Sequence, residues 1–254
     1  MTIGPIDRFS SRVDNYIKYR PGYPIELVLL LERECGLTTD SVIADIGSGT
    51  GKLSEPFLQN GNFLYGVEPN ARMRTAAEGL LSRYHRFASI DATAEKTSLQ
   101  CHAVDFVIAG QAFHWFKHHD FRNECLRILK PGGWIVLVWN ERQLATTPFL
   151  QEYERILLKY GRDYEAVRHE NARNRIAEFF SPATPREKTF ANEQKFDFEG
   201  LKGRVMSSSY TPEPPQPSFT SMLKDLTRAF EKHQTNNRVC FLYDTRVYYG
   251  RLDS

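Results

Sequence analysis

A short apolar strand that runs straight into three glycines constrains this chain more than any other segment. Val42-Ile43-Ala44-Asp45-Ile46 leads into Gly47-Ser48-Gly49-Thr50-Gly51. A strand apolar on both of its faces is a buried strand, the condition of strands in parallel sheets. Glycines in the turn that follows let the backbone approach a ligand closely above the strand ends. The alternation continues downstream. Residues 63–68, 86–90, 104–109 and 134–139 read as strands. Residues 25–35, 72–84 and 121–129 read as helices, the last stopped by Pro131-Gly132-Gly133. Strands alternating with helices predict right-handed crossovers and an α/β architecture, a mostly parallel sheet with helices on both faces.

The chain has 254 residues, 41% of them hydrophobic, which suits one large domain over residues 1–254. Within it, residues 1–35 read as lid helices, 36–144 as the ligand-binding core, 145–187 as a helical cap insertion and 188–254 as closing strands and a helix. Pro21 and Pro24 end a first helix near Tyr19, because the residue before a proline leaves the α region. Residues 147–180 are helical and densely charged, with both signs mixed. Pro212, Pro214, Pro215 and Pro217 make a stiff connector. Ser218 is the expected N-cap of a helix reaching about His233, and residues 188–198 and 238–250 read as strands.

Lys plus Arg is 33 against 31 for Asp plus Glu, a formal net charge of +2. That balance carries no electrostatic footprint for nucleic acid or an anionic membrane. Residues 1–14 show no basic start followed by an apolar stretch, so no signal peptide is expected. Cys35, Cys101, Cys125 and Cys240 are scattered, with no C-x-x-C pair, which predicts a reducing, cytoplasmic setting and an apolar filler role.

Three ligand classes compete for the glycine loop. A phosphate-binding P-loop needs G-x-x-x-x-G-K-[ST]. Gly51-Lys52 fits, but Ile46 stands at the first glycine and Leu53 at the hydroxyl. A dinucleotide fingerprint needs a third glycine where Lys52 stands. What remains is G-x-G-x-G preceded by Asp45, and that suits S-adenosylmethionine. This cofactor has no pyrophosphate but carries a sulfonium and an ammonium, which an acidic strand end complements. Glu68, ending the second strand, is placed to accept both ribose hydroxyls, a feature shared with dinucleotide enzymes.

Residues 42–51 resemble the first motif of class I S-adenosylmethionine-dependent methyltransferases. Glu68-Pro69-Asn70 is similar to the acidic loop after their second strand. Asp91-Ala92-Thr93-Ala94-Glu95 resembles their adenine-edge loop, and Leu129-Lys130-Pro131-Gly132-Gly133 the turn before their fifth strand. Two further segments resemble the trans-aconitate-methyltransferase-like small-molecule branch. One is the aromatic and basic stretch Phe9, Tyr16, Tyr19, Arg20-Pro21, Tyr23-Pro24. The other is Gln111-Ala112-Phe113-His114-Trp115-Phe116. The resemblance implies a Rossmann-like seven-stranded sheet with the last strand antiparallel, and an N-terminal lid over the cofactor. It implies cofactor contacts from Tyr16, Arg20, Asp45, Gly47, Ser48 and Gly49, and from Glu68, Pro69, Thr93, Ala94 and Gln111. Tyr19, Phe113, His114 and Trp115 become the substrate-side candidates.

His114, His118 and His119 stand close together. His114 and His118 are spaced i, i+4, but the H-E-x-x-H form would need Glu where Trp115 stands, so no metal is expected. His118 and His119 read as surface residues at a helix start. His114 falls just past the fourth strand, at the ligand edge, and is the candidate general base should an acceptor have to lose a proton. Arg155, Lys159, Arg162, Arg168, Arg173 and Arg175 alternate with Glu152, Glu154, Asp163, Glu165 and Glu170, which reads as a solvated face. The function expected is methyl transfer to oxygen or nitrogen of a small molecule, possibly a carboxylate. Intramolecular cyclisation of the cofactor and non-catalytic cofactor binding are the alternatives.

Overall fold

The structure, a computed structural model, describes residues 13–162, 164, 172–208 and 210–252. Among these, seven strands form one sheet: β1 (Val42–Ile46), β2 (Phe63–Val67), β3 (Phe87–Ile90), β4 (Val104–Gly110), β5 (Leu129–Arg142), β6 (Arg186–Phe196) and β7 (Val239–Gly250). Their order is β3-β2-β1-β4-β5-β7-β6. Strands β1 to β5 pair in parallel, and β7 runs antiparallel to both of its neighbours. From β1 the chain moves outward through β2 and β3, then returns to β4 on the other side. That reversal opens a crevice above the carboxyl ends of β1 and β4, where open α/β sheets take ligands.

The helices are α1 (Val13–Tyr19), α2 (Glu26–Cys35), α3 (Ser54–Gln59), α4 (Ala71–Leu80), α5 (His118–Ile128), α6 (Pro148–Tyr160), α7 (Ala172–Phe180), α8 (Phe198–Met206) and α9 (Pro217–His233). Successive strand side chains point to opposite faces. Ala44, Val107, Ala109, Ile135 and Leu137 meet Phe121 and Cys125 of α5 and Phe179 and Phe180 of α7. Ile43, Phe106, Ile108, Val136 and Val138 meet Leu27, Leu30 and Leu31 of α2 and Phe57 of α3. A third cluster joins α6, α8 and α9 to the far ends of β6 and β7 through Phe149, Tyr153, Leu226 and Phe241. No described helix is long and apolar enough to cross a membrane.

Four local expectations change. α5 ends at Ile128, ahead of Pro131, and β5 begins at once with a bulge. Val104 pairs with Leu129 and Phe106 with Trp134, so residues 130–133 loop out. Gly133 is required there, since a Cβ would lie 3.0 Å from the Asp105 carbonyl oxygen. α9 starts right after Gln216, which makes no side-chain cap, with Pro217 in its first turn rather than Ser218 as the cap, because proline's missing N–H costs nothing at that position. α8 forms where no helix is expected, capped by Asp197, whose side chain accepts from the Gly200 N–H at 2.8 Å. Finally, α7 lies outside the cap. Ile176, Phe179 and Phe180 join the core beside α5 because their spacing presents one apolar face to the sheet. Phe9, Asp163, Glu165, Arg168, Glu170 and the Arg173 side chain lie outside the described residues.

β5 outruns β4. Its last parallel partner is Val138, and residues 139–142 pair with β7 alone. This overhang carries Asn140, Glu141 and Arg142 past the sheet edge and over the crevice. α1 is held above the same crevice by α8, and that contact depends on Gly203. A Cβ there would stand 2.0 Å from Tyr19 Cε2. Gly203→Ala is expected to cost about 1–3 kcal/mol or to lift α1 away. Limited proteolysis should then cut within α1 while the sheet stays resistant. Native cleavage and a native melting temperature would show that the contact does not hold α1.

Candidate functional site

The glycine loop is built by three strands at once. The Val67 carbonyl accepts from the Gly47 and Ser48 N–H groups at 2.8 and 3.2 Å, tying the tip of β1 to β2. Gly47 has φ 67°, and a Cβ on it would come 2.7 Å from the Ala112 Cβ beyond β4. Gly49, at φ 56°, has nothing within 4 Å of its Cβ position, so the open side of the turn faces the crevice. The Gly49 N–H donates to Glu68 Oε2 at 2.9 Å, and the Asn70 N–H to Glu68 Oε1 at 2.8 Å. Burial raises the Glu68 pKa against the pull of these two donors.

Asp45 is fully buried inside β1. Ser54 donates its hydroxyl to Oδ2 at 2.6 Å, while Oδ1 is buried with no hydrogen-bond partner. Burial pushes the Asp45 carboxyl up to about 7. The Ser54 hydrogen bond opposes this and the Glu68 charge adds to it.

A cavity of about 520 Å³ opens above this loop, within the size range of about 300–1,000 Å³ usual for small-molecule sites. Tyr16, Arg20, Asp45, Gly47, Ser48, Gly49, Gln111, His114 and Trp115 all line it. Tyr16 and Arg20 stand four residues apart, and the Arg20 guanidinium lies 5.4 Å from the Tyr16 ring centre. Arg20 Nη2 donates to the Ser207 carbonyl at 3.0 Å. Lys52 Nζ reaches the Ile17 carbonyl at 2.8 Å, tying α1 to the glycine loop. The hinge behind α1 is pinned as well: the Gly22 carbonyl accepts from Asn140 at 3.0 Å and Asn192 at 2.9 Å. Gln111 adopts φ 57° and donates to the Asn140 carbonyl at 3.0 Å. His114 and Trp115 follow in a one-turn 3₁₀ helix, their ring centres 4.7 Å apart.

Six sequence candidates stand elsewhere. Phe113 turns inward, 1% exposed, and stacks on His118 with ring centres 4.2 Å apart. One 3₁₀ turn cannot aim three consecutive side chains at one cavity, and the most apolar of them goes to the core. Tyr19 is drawn away to Gly203 and to Phe196, 6.2 Å distant edge-to-face. Glu68 and Pro69 sit one step behind the cavity wall, because the Glu68 carboxylate braces the loop. Ala94 packs in the core, and the Thr93 carbonyl closes a turn onto the Lys96 N–H at 3.2 Å.

Sequence reading misses the opposite wall. Arg142, Tyr164, Arg204, Tyr210 and Tyr243 line the cavity from the β5 overhang, the segment after α6, α8, the segment after α8, and β7. Glu154, expected on a solvated face, is 9% exposed and pairs with Arg142, and Tyr164 donates to the same carboxylate at 2.7 Å. Polar residues in charged helices give no local signal of burial. The one available hint was Asp197, a cap for α8 and hence for Arg204. Around the cavity Arg20 Nε, Thr50 Oγ1, Trp139 Nε1 and Arg142 Nη1 join Asp45 Oδ1 as buried polar atoms without a hydrogen-bond partner. Such atoms are rare in folded proteins. Their concentration here fits a polar ligand.

Residues 44–137 match the family described as a methyltransferase domain. An uncharacterized methyltransferase-like protein of Schizosaccharomyces pombe is 30% identical over 159 residues, covering 61% of this chain and 59% of that protein. An uncharacterized methyltransferase of Mycobacterium tuberculosis is 32% identical over 160 residues, covering 63% and 61%. The chain thus spans about three-fifths of the length of these relatives. A structure from Anaeromyxobacter dehalogenans, provisionally described as a type II methyltransferase, superposes with a TM-score of 0.65 at 21% identity. It covers 92% of this chain and 98% of that one, a likeness of fold. Residues 44–137 are thus similar to a methyltransferase domain, within a fold shared with methyltransferase structures.

The raised Asp45 pKa has a measurable sign. The native carboxyl keeps its proton up to about 7, whereas the unfolded one ionises near 3.8. Between those values the native state binds more protons, so this group lowers stability as pH rises through the window. Asp45→Asn keeps an acceptor for Ser54 and removes the buried charge. The ligand-free variant should be more stable than the parent at pH 8, by on the order of 2–4 kcal/mol, with the gain shrinking below about pH 7 and closing toward about pH 4. A pH-independent difference in melting temperature would contradict this account of Asp45.

Proposed function

We propose that this chain transfers the methyl group of S-adenosylmethionine to oxygen or nitrogen of a small molecule, as in the trans-aconitate-methyltransferase-like branch that its N-terminal motif resembles, and that it does so in the cytoplasm. The observation that carries this reading is the open side of Gly49 beside the unpartnered Asp45 oxygen. That pair offers close backbone approach and a negative partner for a cation, which suits a sulfonium and ammonium ligand and disfavours a pyrophosphate.

When bound, the cofactor would supply a methyl group made electrophilic by its positively charged sulfur, which would leave as a neutral thioether. The chain's own residues bind, orient and exclude water. Asp45 complements the cationic part, and Gly47, Ser48 and Gly49 admit the nucleoside close to the backbone. Glu68 braces the loop from one step behind the cavity wall and keeps lone pairs for the ribose hydroxyls. Arg20 pairs with the methionine carboxylate, and Gln111 and Tyr16 border that chain. His114 and Trp115 face the acceptor. His114 takes a proton where the acceptor has one to lose. Most of the rate gain then comes from alignment and closure by α1.

S-adenosylhomocysteine is expected to raise the melting temperature through preferential binding to the native state, while NAD and ATP have little effect. Incubation with S-adenosylmethionine and a metabolite extract should release S-adenosylhomocysteine together with a methylated product. Methylthioadenosine as the sole product would point to cyclisation, and equal stabilisation by NAD would sink the cofactor assignment. With an acceptor that must lose a proton, His114→Ala should lower turnover by about 10²–10⁴-fold and spare cofactor affinity. Full activity of that variant at every pH would leave His114 without a chemical role.

A further inference from the structure

The sheet ends on one side in a long open edge. β6 closes the strand order after β7, and among the described residues it has a strand neighbour on one side only. Its eleven residues pair with β7 in one unbroken register from Arg186 to Phe196. Such an edge presents a row of backbone N–H and C=O groups to any further strand. Folds blunt their edges by shortness, by proline, by a bulge or by charge. The other edge, β3, is four residues long. β6 has no proline, no glycine and no shift of register, so charge alone guards it.

That charge is self-complementary. Across a two-fold axis, residue i of one copy meets residue j of the other, and j meets i. With the axis at Ala191, Glu187 of each copy lies opposite the partner's Lys195, and Thr189 opposite the partner's Glu193. These positions share one face of the strand, because side chains alternate with period two. Moving the axis to Phe190 sets Glu187 against the partner's Glu193. Moving it to Asn192 sets Glu187 against the partner's Asp197, and moving it to Glu193 sets that carboxylate against its own copy. At Thr189 the paired stretch shrinks to residues 186–192. One register therefore joins opposite charges along the full strand with no like pair. We propose that a second copy of this chain is the partner of β6, paired antiparallel about Ala191 so that the two sheets become one. Opposite charges directly across a ladder stabilise it, and like charges oppose it. The backbone bonds carry the affinity and the charges select the register. The Glu187 and Lys195 side chains are 37% and 55% exposed, within reach of a second copy. Glu187 already accepts from Arg246 of β7 at 2.9 Å, and Lys195 pairs with Glu193 at 2.8 Å. The contact thus extends a row of alternating sign: Arg246, Glu187, the partner's Lys195, the partner's Glu193. β6 also carries Asn192, which donates to the Gly22 carbonyl behind α1 at 2.9 Å, so pairing steadies the strand that pins this hinge.

The test weighs the full chain by sedimentation equilibrium across about 5–200 µM, since a dimer grows with protomer concentration. The mass should rise from one chain toward two. Glu187→Lys and Lys195→Glu each set like charges opposite one another at both ends of the ladder. Each should raise the dissociation constant by about tenfold or more. An equimolar mixture of those two variants should recover the dimer, because every crossed pair is again of opposite sign. The double variant Glu187→Lys, Lys195→Glu should recover it as well. Hydrogen exchange on the unaltered chain gives a readout that needs no variant. Amides within residues 186–196 should gain protection as concentration rises, while those of β3 do not. A chain that stays monomeric to the highest concentration overturns the proposal. A dimer whose β6 exchange ignores concentration overturns it too, because the interface then lies elsewhere. So do folded single variants that dimerise as the parent does, or whose mixture stays monomeric. The pairing stands apart from the methyltransferase reading, which none of these outcomes touches.

Discussion

Gly47 is where β1, β2 and the loop beyond β4 converge. The chain holds φ 67° there, with its N–H on the Val67 carbonyl and its α-carbon so near Ala112 that a Cβ would stand 2.7 Å away. Any other residue at this position would strain the backbone and push apart the tips of two strands. Three consequences follow from that one contact. Asp45 is left inside the sheet, one oxygen toward Ser54 and the other toward the crevice. Gly49 turns its open side to the same crevice. The one-turn helix after Gln111 is seated against the loop, which brings His114 and Trp115 to the cavity edge.

The walls above the loop are assembled from distant segments and held mostly by polar contacts. Asn140 and Asn192, on β5 and β6, both donate to the Gly22 carbonyl, and Thr245 on β7 donates to Asn140. Lys52 crosses to Ile17. α1 therefore hangs between the glycine loop, the β5 overhang and α8. Apolar burial would have fixed it more firmly. The proposed lid role of α1 agrees with that weaker hold, because elements that move to admit and release ligands are drawn from the less stable part of a fold.

The interior of the cavity is built at a cost to the empty protein. Asp45 is buried at one end and Arg204 at the other, with Arg20 half-buried beside it, and the hydrogen-bond partners of all three are neutral. Sites of this kind are pre-organised for a partner that carries both signs, because the protein dipoles and charges are already in place when it arrives. The same arrangement explains why unpartnered polar atoms gather at this cavity. Elsewhere the fold satisfies buried charge locally, as where Glu124 accepts from Thr97 and Arg127.

The amino-acid sequence by itself determined the sheet core, the glycine loop with Asp45 and Glu68, and the Tyr16–Arg20 face of the first helix. Those features depend on neighbours within a few residues: period-two burial, positive-φ glycines, i, i+4 spacing. Side-chain direction at the edges was beyond it. Phe113 goes inward beside His114 because the core competes for its ring. Tyr19 leaves the cavity because Gly203, 184 positions later in the chain, makes room for it. The arginine and tyrosine wall was decided only by tertiary structure. Arg142, Tyr164, Arg204, Tyr210 and Tyr243 come from five separate segments, and of these only Tyr243 stands on a strand face whose alternation marks it as inward. Burial of a charge is a property of what closes over it, and what closes over Arg204 is set by the β5 overhang, α8 and β7 packing together.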